Sequence, residues 1–347
     1  MSAERNISGT NVCVVGGAGF LGSHLVDFLI EEKNCQVLVI DNLESGRREF
    51  INPKAAFEHH DITGSESYLL NLFKHHNIQF VMNYSALPYI PVSFARPLHV
   101  FNVNAFGALK VINAAHEAGC EGILQVSSAE IYGDGNGKAI DTTTKENKEW
   151  RTFEPCFSLD EKAPVTPHSS YGAAKAAIDA MVRVRWKEAQ VPCIALRQFN
   201  CIGPRETHPY VVPEIISQLS PQLLGGDATV KLGNNSFRDF QYAGDAVRMA
   251  VELLEKGTFG EVYNMGSQEG VKMYDLASMI GKIMGFEKVV VEQDPSRIRP
   301  YEIWHLQSNN TKLYSTIETR PSVTFQEALQ RTVADFYSSG NKWCWEK

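Results

Sequence analysis

Two short stretches carry side chains that could do acid–base chemistry together. Ser128 and Glu130 follow the apolar run Gly122–Val126, which is typical of a buried parallel strand that ends in a loop. In an open α/β sheet, ligands bind beyond the carboxyl ends of the strands, so a hydroxyl and a carboxylate here could face a substrate. Further along the chain, Tyr171 and Lys175 share one face of a predicted helix. The sequence therefore predicts a site where these four side chains meet at one edge of a sheet.

A glycine-rich turn near the N-terminus predicts a dinucleotide site. Gly16, Gly19 and Gly22 lie between a predicted strand, Asn11–Val15, and a predicted helix, Ser23–Glu32. Glycines at this spacing allow a tight turn, a close approach to a pyrophosphate and close packing of the helix on the sheet. The N–H groups and the positive dipole end of the helix would then face the phosphates. Because the turn follows a strand and opens a helix, we interpret it as a binding site rather than as simple turn formers.

An acidic residue suited to such a site follows. The second predicted strand, Gln36–Ile40, leads to Asp41, and a carboxylate about 20 positions after the glycines can bind the adenosine ribose hydroxyls. Asp41 favours NAD over NADP, because its charge would repel a 2′-phosphate. Arg47 and Arg48 leave NADP open, since either could reach such a phosphate, although an Arg pair of this kind is most often a solvated loop.

Further cofactor contacts are expected near the ends of the next two predicted strands, Ala55–His60 and Phe80–Ser85. Residues after the first of these could contact the adenine, and small residues after the second would let the dinucleotide pass close to the sheet. Asn104 lies on a predicted helix over Pro97–Gly119, either beside the cofactor or in the core as a hydrogen-bonding amide. Besides the three glycines and Asp41, the predicted cofactor contacts are Phe20, Leu21, Asn42, Asp61, Ile62, Ser85, Ala86, Asn104, Tyr171 and Lys175.

The order of the elements predicts the fold class. Strands and helices alternate up to Asn200, which is typical of an α/β fold with a Rossmann-like, doubly wound parallel sheet. The pattern then breaks into shorter pieces and predicts a smaller C-terminal α/β substrate domain. A seventh strand, Gly260–Met265, is expected to return to the sheet. The predicted NAD-binding domain covers 1–202 and 243–264, and the nucleotide-sugar-binding domain covers 203–242 and 265–347.

Composition and charge exclude several classes of protein. The 347 residues are 44% hydrophobic and 21% charged with a net charge of −7, which is ordinary for a globular enzyme and disfavours a nucleic-acid surface. No apolar run approaches the ~20 residues of a membrane helix, and the first residues lack the apolar centre of a signal peptide. Seven scattered cysteines predict reduced thiols and a cytoplasmic protein. No metal site is expected, since there is no Cys-x-x-Cys pair and the two His-His pairs lack nearby Cys or carboxylates at ligand spacing.

Taken together, these motifs resemble the extended short-chain dehydrogenase/reductase family. The resemblance depends on the glycine turn, on Ser128, on Tyr171-x-x-x-Lys175 and on Arg238-Asp239-Phe240, and it covers nearly the whole chain. More narrowly, the chain is similar to nucleotide-sugar epimerases and dehydratases, above all to 4,6-dehydratases of NDP-hexoses and NDP-N-acetylhexosamines. The resemblance implies an enzyme that binds NAD tightly, regenerates it in each turnover and acts on a nucleotide-diphosphate sugar.

The resemblance assigns the catalytic steps to the four residues of the predicted site. Tyr171, as a phenolate, would remove the proton of the C4 hydroxyl, because hydride cannot leave C4 unless that proton leaves with it. The ammonium of Lys175 would favour the phenolate and hold the nicotinamide ribose, and Ser128 would hydrogen-bond the same sugar oxygen. Once C4 is a ketone the C5 proton is acidic, and Glu130 would remove it.

Glu130 discriminates between the possible reactions. A 4,6-dehydratase needs a carboxylate at this position, whereas a 4-epimerase only needs the ketone to turn over. Ala129 departs from the dehydratases that carry an Asp there as the acid for the departing water, so Glu130, a bound water or Tyr171 would have to serve. We predict an NAD-dependent nucleotide-sugar 4,6-dehydratase, with a UDP-sugar 4-epimerase as the first alternative and a uronic-acid decarboxylase as the second. A non-catalytic NAD-sensing scaffold is disfavoured, because the catalytic side chains occur together.

Substrate contacts are predicted mainly in the C-terminal half. The segment that holds Leu232 and Arg238 is similar to one that flanks the base and diphosphate in GDP-mannose and N-acetylhexosamine 4,6-dehydratases. Arg238 and Arg299 are the predicted diphosphate ligands, because an Arg fork binds a diphosphate bidentately; for each, a surface salt bridge is the alternative. Asn200 matches a family Asn that contacts the diphosphate. His208 is equally well a loop residue or a ligand to the sugar.

Two expectations concern regions outside these motifs. The resemblance implies a homodimer through a four-helix interface made by the helices that begin near Pro97 and Tyr171. A polar loop is predicted over Gly133–Pro164, and a long loop at the carboxyl edge of a sheet is more often functional than not.

Overall fold

The structure is a computed structural model, and it describes residues 5–133, 158–207, 209–299 and 301–340. Most of the polar loop predicted over Gly133–Pro164 lies outside the described residues, and so does His208. The strands are β1 (Asn11–Val15), β2 (Gln36–Asp41), β3 (Ala56–His59), β4 (Phe80–Asn83), β5 (Gly122–Val126), β6 (Cys193–Gln198), β7 (Asn200–Ile202), β8 (Asp227–Leu232), β9 (Phe237–Tyr242), β10 (Val262–Met265), β11 (Gly270–Lys272), β12 (Lys288–Gln293) and β13 (His305–Leu306). The α-helices are α1 (Phe20–Glu31), α2 (Glu66–His75), α3 (Ile90–Ala95), α4 (Pro97–Phe101), α5 (Ala108–Glu117), α6 (Ser170–Ala189), α7 (Val211–Leu219), α8 (Ala243–Lys256), α9 (Met273–Met284), α10 (Thr311–Tyr314) and α11 (Phe325–Ser338).

A parallel sheet of seven strands forms the centre of the molecule. Its order is β10-β6-β5-β4-β1-β2-β3, and every neighbouring pair is parallel. The core on one face includes α1 and α8, and that on the other includes α2, α5 and α6, so the central strands are buried on both sides. The strand order reverses at β1, where open α/β sheets bind ligands. The predicted Rossmann-like, doubly wound α/β fold is confirmed.

The C-terminal half builds two smaller sheets over a core of its own. Strands β11, β9 and β13 pair in that order, with β7 also on β9, while β8 and β12 form a parallel pair. Their apolar side chains pack with those of α7, α9 and α11. The strand predicted over Gly260–Met265 is β10, which returns to the edge of the main sheet beside β6. The predicted domain boundaries themselves stay a prediction.

The helix predicted over Pro97–Gly119 is not one regular α-helix. Between α4 and α5 the chain forms a π-helical turn, Asn102–Gly107. Asn104 in this turn accepts a hydrogen bond from Leu87 N (2.8 Å) and donates one to Leu87 O (3.1 Å). A Cβ on Gly107 would come within 2.8 Å of the Ile62 side chain. Both contacts join residues far apart in sequence, so helical periodicity did not reveal the turn.

Two element boundaries differ from the prediction and change the surroundings of site residues. The strand predicted over Ile194–Asn200 divides at the buried Phe199, and β7 leaves the main sheet to pair with β9. Asn200 therefore begins a strand of the small sheet. Helix α1 begins at Phe20, directly after Gly19, because the glycine turn itself supplies its N-terminal cap.

Candidate active site

The glycine turn brings backbone close to backbone at the switch point of the sheet. Gly16 has a φ of +81°, and a Cβ there would lie 2.6 Å from Ser85 N. A Cβ on Gly22 would overlap Gly16 O, whereas a Cβ on Gly19 would meet only Gly16 O, at 3.3 Å. The Gly19 position thus faces open space at the first turn of α1, which has no side-chain cap. This arrangement leaves free N–H groups and room for a phosphate.

Asp41, at the end of β2, lies beside this turn. Its carboxylate accepts hydrogen bonds from Ala18 N (3.0 Å) and Leu43 N (2.8 Å). Burial raises the pKa of Asp41, and these two backbone hydrogen bonds oppose the rise. The Arg48 guanidinium lies 4.0 Å from the ring centre of Phe57, which gives this side chain a partner away from the carboxylate.

The other predicted cofactor residues follow β3 and β4 or lie in the core. Asp61 accepts hydrogen bonds from Asn42 Nδ2 (3.0 Å) and Thr63 N (2.8 Å). Burial raises the pKa of Asp61, but these hydrogen bonds outweigh burial and leave the pKa below its ordinary value. The side chain of Ile62 is buried in the core, so only its backbone can face a ligand. Asn104 uses both ends of its amide to hold Leu87, as described above.

The loop after β4 is ordered by a short chain of amides. Ser85 donates from N (3.1 Å) and Oγ (2.5 Å) to Asn83 Oδ1. Asn83 in turn donates to Gln125 Oε1 (2.8 Å) on the neighbouring strand β5. Ser85 and the partly exposed Ala86 are thereby held next to the glycine turn.

Ser128 and Glu130 lie on a turn that follows β5. Ala129–Tyr132 form a 3-10 helix, and Ser128 caps it by accepting a hydrogen bond from Glu130 N (3.2 Å). Ser128 is buried and Glu130 is partly exposed. Among the residues that the structure describes, the Glu130 carboxylate has no hydrogen-bond or ion-pair partner. A buried hydroxyl and an unengaged carboxylate therefore lie together at the carboxyl edge of the sheet.

Helix α6 starts directly against this turn. Ser169 Oγ caps the helix by accepting from Gly172 N (3.0 Å). A Cβ on Gly172 would come within 2.8 Å of Glu130 O, so only glycine permits this approach. Lys175, one helical turn later, donates from Nζ to Val126 O (2.9 Å) at the end of β5. The structure thus brings the four predicted catalytic side chains together.

Burial dominates the electrostatics of Tyr171 and Lys175. Burial raises the pKa of Tyr171 to about 12, a hydrogen bond with Ser128 lowers it, and the charge of Glu130 raises it further. Burial also lowers the pKa of Lys175 to about 8. Ser128 thus lowers the pKa of Tyr171. The Lys175 ammonium bonds the strand, and its predicted effect on the phenolate stays a prediction.

The predicted diphosphate ligands converge on one carboxylate. Arg238 is buried, and it donates from Nη2 to Glu302 Oε1 (2.8 Å) and from Nη1 to Ile303 O (2.6 Å). Arg299 Nη1 lies 4.0 Å from the same Glu302 oxygen. Leu232 is buried at the end of β8. Arg238 thus forms a salt bridge that is buried rather than at the surface, since each side chain of the pair is 7% exposed. Its role as a diphosphate ligand stays a prediction.

The comparisons with known proteins find enzymes named as dehydratases or epimerases of nucleotide sugars. The chain is 26% identical over 343 residues to human dTDP-D-glucose 4,6-dehydratase, covering 96% of this chain and 91% of that protein. It also resembles the Thermotoga maritima UDP-glucose 4-epimerase solved with UDP-glucose (TM-score 0.80, 26% identity, 95% of this chain and 99% of that one). The Thermus thermophilus UDP-glucose 4-epimerase solved with NAD is similar to the same degree (TM-score 0.78, 26% identity, 95% and 99%).

One match spans almost the entire chain. Residues 13–332 match the model of the GDP-mannose 4,6 dehydratase family. The chain belongs to the GDP-mannose 4,6 dehydratase family. The predicted resemblance to nucleotide-sugar epimerases and dehydratases is confirmed, and the protein is an enzyme of this dehydratase and epimerase group.

The glycine turn has the shape that a bound dinucleotide requires. Side chains are excluded at Gly16 and Gly22 by the neighbouring backbone, while Gly19 faces open space. Asp41 stands at the end of the adjacent strand, with backbone donors that fix its orientation. The residues present therefore fit NAD.

Sequence reasoning missed two residues of this region. Glu302 was not singled out, although it pairs with Arg238 and lies near Arg299. Tyr210, just before α7, is close enough to Tyr171 that the charge of Tyr171 raises the pKa of Tyr210, after the larger effect of burial. Glu302 could have been found as an acid three residues after Arg299 in the sequence, whereas no pattern in the sequence connects Tyr210 with Tyr171.

The described residues give no support for a membrane-spanning helix or for a metal site. Within the described ranges, no helix combines the length and the apolar character that crossing a membrane requires. The same ranges contain no group of three or more His, Cys, Asp or Glu side chains arranged to hold a metal ion.

The buried Lys175 gives a prediction for stability against pH. Its pKa is about 8 in the folded chain against 10.5 ordinarily, so the cost of burying its charge is largest below pH 8 and disappears as the pH rises to 10.5. That cost is about 3 kcal/mol. In Lys175→Met, Val126 O keeps a donor from Gln125 Nε2 (2.9 Å). We expect this variant to be about 1–3 kcal/mol more stable than the wild type at pH 7.

Urea unfolding at pH 7 and pH 10 measures this difference. Lys187→Met, an exposed lysine on the same helix, is the matched control and should change stability little at either pH. The gain of Lys175→Met should shrink at pH 10. A gain of equal size at both pH values would show that the amine is not buried as a charge.

Proposed function

We propose that this protein is an NAD-dependent nucleotide-sugar 4,6-dehydratase that produces an NDP-4-keto-6-deoxy sugar. The observation that carries the proposal is the carboxylate of Glu130 beside Tyr171. Its charge acts on the phenol, and no described residue pairs with it. A second base next to the first is what removal of a C5 proton requires and what epimerisation at C4 does not.

The glycine turn and Asp41 would hold NAD, which would supply a hydride acceptor for C4 and a hydride donor for C6; because it would be regenerated in each turnover, it should stay bound. Tyr171, as a phenolate, takes the proton of the C4 hydroxyl, and Ser128 hydrogen-bonds the same oxygen. Glu130 takes the C5 proton and returns it to C5 after the C6 hydroxyl has left. Support for NAD comes from the glycine turn and Asp41, and from a relative solved with NAD.

The proton balance of the elimination involves Tyr171 a second time. Ala129 has no proton donor to offer the departing C6 hydroxide. The protons balance if Tyr171 transfers the proton that it took from the C4 hydroxyl to the departing C6 hydroxide, which then leaves as water. Each turnover then restores the phenolate of Tyr171 and the carboxylate of Glu130, and the substrate has lost one water.

The substrate contacts of this proposal are Asn200, Leu232, Arg238 and Arg299. Arg238 and Arg299 lie near one acceptor, Glu302 Oε1, so their guanidinium groups come from two segments to the same place. A diphosphate is the ligand that two such groups bind best. A nucleotide base and a particular sugar are not implied by these contacts.

A UDP-sugar 4-epimerase is the second candidate, and two observations favour it. Solved relatives of matching fold at 26% identity are epimerases, and Ala129 lacks the acid that part of the dehydratases carry. In an epimerase Glu130 would have no part in the chemistry. We place either reaction in the cytoplasm, since the cysteines with described environments are all free thiols.

Two substitutions test the proposal: Tyr171→Phe tests the C4 oxidation that both candidate reactions need, and Glu130→Gln separates the dehydratase from the epimerase. Tyr171→Phe should bind NAD but lose turnover by about 10²-fold or more, because the base of the first step is gone. Glu130→Gln should oxidise C4 and then stop, so that reduced cofactor accumulates in the first turnover. The measurement is the absorbance of the reduced nicotinamide after mixing with a nucleotide sugar, together with the rate of product formation.

The control for Glu130→Gln is Glu121→Gln, at the opposite end of β5, where Glu121 accepts from Gln79 Nε2 (3.1 Å). This variant should turn over as the wild type does. Full activity of Glu130→Gln would remove the support for a dehydratase and favour the epimerase.

Exposed apolar side chains support the homodimer that the resemblance implies. Leu98 is 86% exposed, and Phe94, Phe106 and Val184 are exposed as well. They lie on α3, on α4, on the π-helical turn and on α6, which pack against one another. We expect wild-type protein to be a dimer by light scattering, and Leu98→Glu to be a monomer with the same far-UV spectrum.

Leu223→Glu serves as the control for Leu98→Glu. Leu223 is 90% exposed but lies beyond α7, away from the proposed interface. This variant should remain a dimer. A wild-type protein that is monomeric, or a dimer that Leu98→Glu leaves intact, would contradict the proposed interface.

A further inference from the structure

The side chain of Tyr132 lies two residues beyond Glu130 and is completely buried. Its hydroxyl donates to Asn264 Oδ1 (2.6 Å) on β10 and accepts from Arg197 Nη1 (2.8 Å) on β6. Its backbone carbonyl accepts from Thr166 Oγ1 (2.7 Å). The last residue of the turn that carries Glu130 is therefore held from three directions.

Arg197 extends this contact to helix α6. It donates from Nε to Asp179 Oδ2 (2.9 Å) and from Nη2 to Asp179 Oδ1 (2.8 Å). Both side chains are almost fully buried. Asp179 lies on the same helix as Tyr171 and Lys175. A chain of three residues, Tyr132, Arg197 and Asp179, thus joins the turn that carries Ser128 and Glu130 to the helix that carries Tyr171 and Lys175.

The hydrogen-bonding groups of this chain are well satisfied, which a buried ion pair requires if it is to persist. The remaining donor capacity of Arg197 Nη1 goes to Glu161 O (3.1 Å). Burial lowers the pKa of Arg197, but its bonds with Asp179 outweigh burial and raise the pKa above the ordinary value. Burial raises the pKa of Tyr132 to about 12. Both shifts keep Arg197 charged and Tyr132 neutral near neutral pH, so the hydrogen bonds between these two side chains do not change with protonation.

We propose that Tyr132, Arg197 and Asp179 are positioning residues that hold the Ser128–Glu130 turn at a fixed distance from Tyr171. The step that concerns Glu130 rests on the proposed function, whereas the step that concerns Ser128 does not. The three residues do not need to touch the substrate. Their effect on the reaction passes through the hydrogen bond between Ser128 and Tyr171 and through the placement of Glu130.

The acid–base behaviour of Tyr171 reports this positioning directly. The groups that interact with its phenol are Ser128 and Glu130 from the turn and Tyr210 from the start of α7. Lys175, on the same helix, directs its ammonium to Val126 O. The hydrogen bond with Ser128 lowers the pKa of Tyr171 and acts more strongly than the charge of Glu130, which raises it. If the turn moves away from Tyr171, the loss of the Ser128 hydrogen bond should outweigh the loss of the Glu130 charge, and the pKa of Tyr171 should rise.

The test compares Tyr132→Phe with Tyr263→Phe. Tyr263 neighbours Asn264 on β10, is equally buried, and its hydroxyl accepts from Thr258 N (3.1 Å), so each variant loses one buried hydroxyl. The NAD-bound proteins are labelled with ¹³C at the tyrosine ring, and Tyr171→Phe identifies the Tyr171 signal. The titration midpoint of that signal should rise by about half a pH unit or more in Tyr132→Phe, and it should not move in Tyr263→Phe.

Thermal unfolding of both variants shows whether the effect is only structural. We expect the two melting temperatures to fall by similar amounts. An unchanged or lowered Tyr171 midpoint in Tyr132→Phe would overturn the proposal. If Tyr132→Phe does not fold, the same titration is made on Asn264→Ser, which removes the acceptor of the Tyr132 hydroxyl. The Tyr171 midpoint should rise in this variant as well, and an unchanged midpoint would overturn the proposal.

The titration contains no nucleotide sugar, so its outcome is independent of the proposed reaction. With a substrate that the wild type turns over, Tyr132→Phe should lower kcat more than it raises KM, because no substrate contact is removed. If the wild type turns over no nucleotide sugar, the proposed function is contradicted. The titration midpoint of Tyr171 still tests whether Tyr132, Arg197 and Asp179 are positioning residues.

Discussion

The packing of helix α6 on the turn after β5 is the constraint on which the site depends. Gly172 allows the first turn of the helix to approach Glu130 O more closely than any side chain would permit. One helical turn later, Lys175 reaches Val126 O at the end of the strand, and Ser127 Oγ donates to Lys175 O (3.3 Å). Strand, turn and helix therefore form one unit, and the groups that they carry cannot move independently.

This packing puts two bases close together, and their charges interact. The charge of Glu130 raises the pKa of Tyr171, so the phenol is a weaker acid while Glu130 is ionised. In the proposed dehydratase reaction, Glu130 would lose its charge on taking the C5 proton, and the pKa of Tyr171 would then fall. Tyr171 would give up its proton more readily at the stage when a hydroxide must leave. The closeness of the two groups thus favours the order of the proposed steps.

Much of the fold follows from local patterns in the sequence. The glycine turn between β1 and α1, the acidic end of β2 and the strand before Ser128 were each recognisable, because apolar periodicity and glycine spacing are local signals. The π-helical turn at Asn104 and the division of the sixth strand at Phe199 were not. Both depend on contacts between distant segments, which periodicity cannot show.

The same distinction applies to the site. Tyr171 and Lys175 were predictable from their spacing on a helix, and Ser128 and Glu130 from the end of a strand. The bond from Lys175 to the strand, the pairing of Arg238 with Glu302 and the contacts of Tyr132 were not, because each depends on how elements pack. The sequence predicted which groups react, and the tertiary structure shows which residues contact those groups.

The most direct test of the dehydratase is mass spectrometry of nucleotide sugars incubated with the purified protein and no added cofactor. The panel contains UDP-, GDP-, dTDP- and CDP-hexoses and their N-acetylated counterparts. We expect one of them to give a product lighter by one water, which would also name the nucleotide. A product of unchanged mass but altered retention would contradict the dehydratase and identify an epimerase.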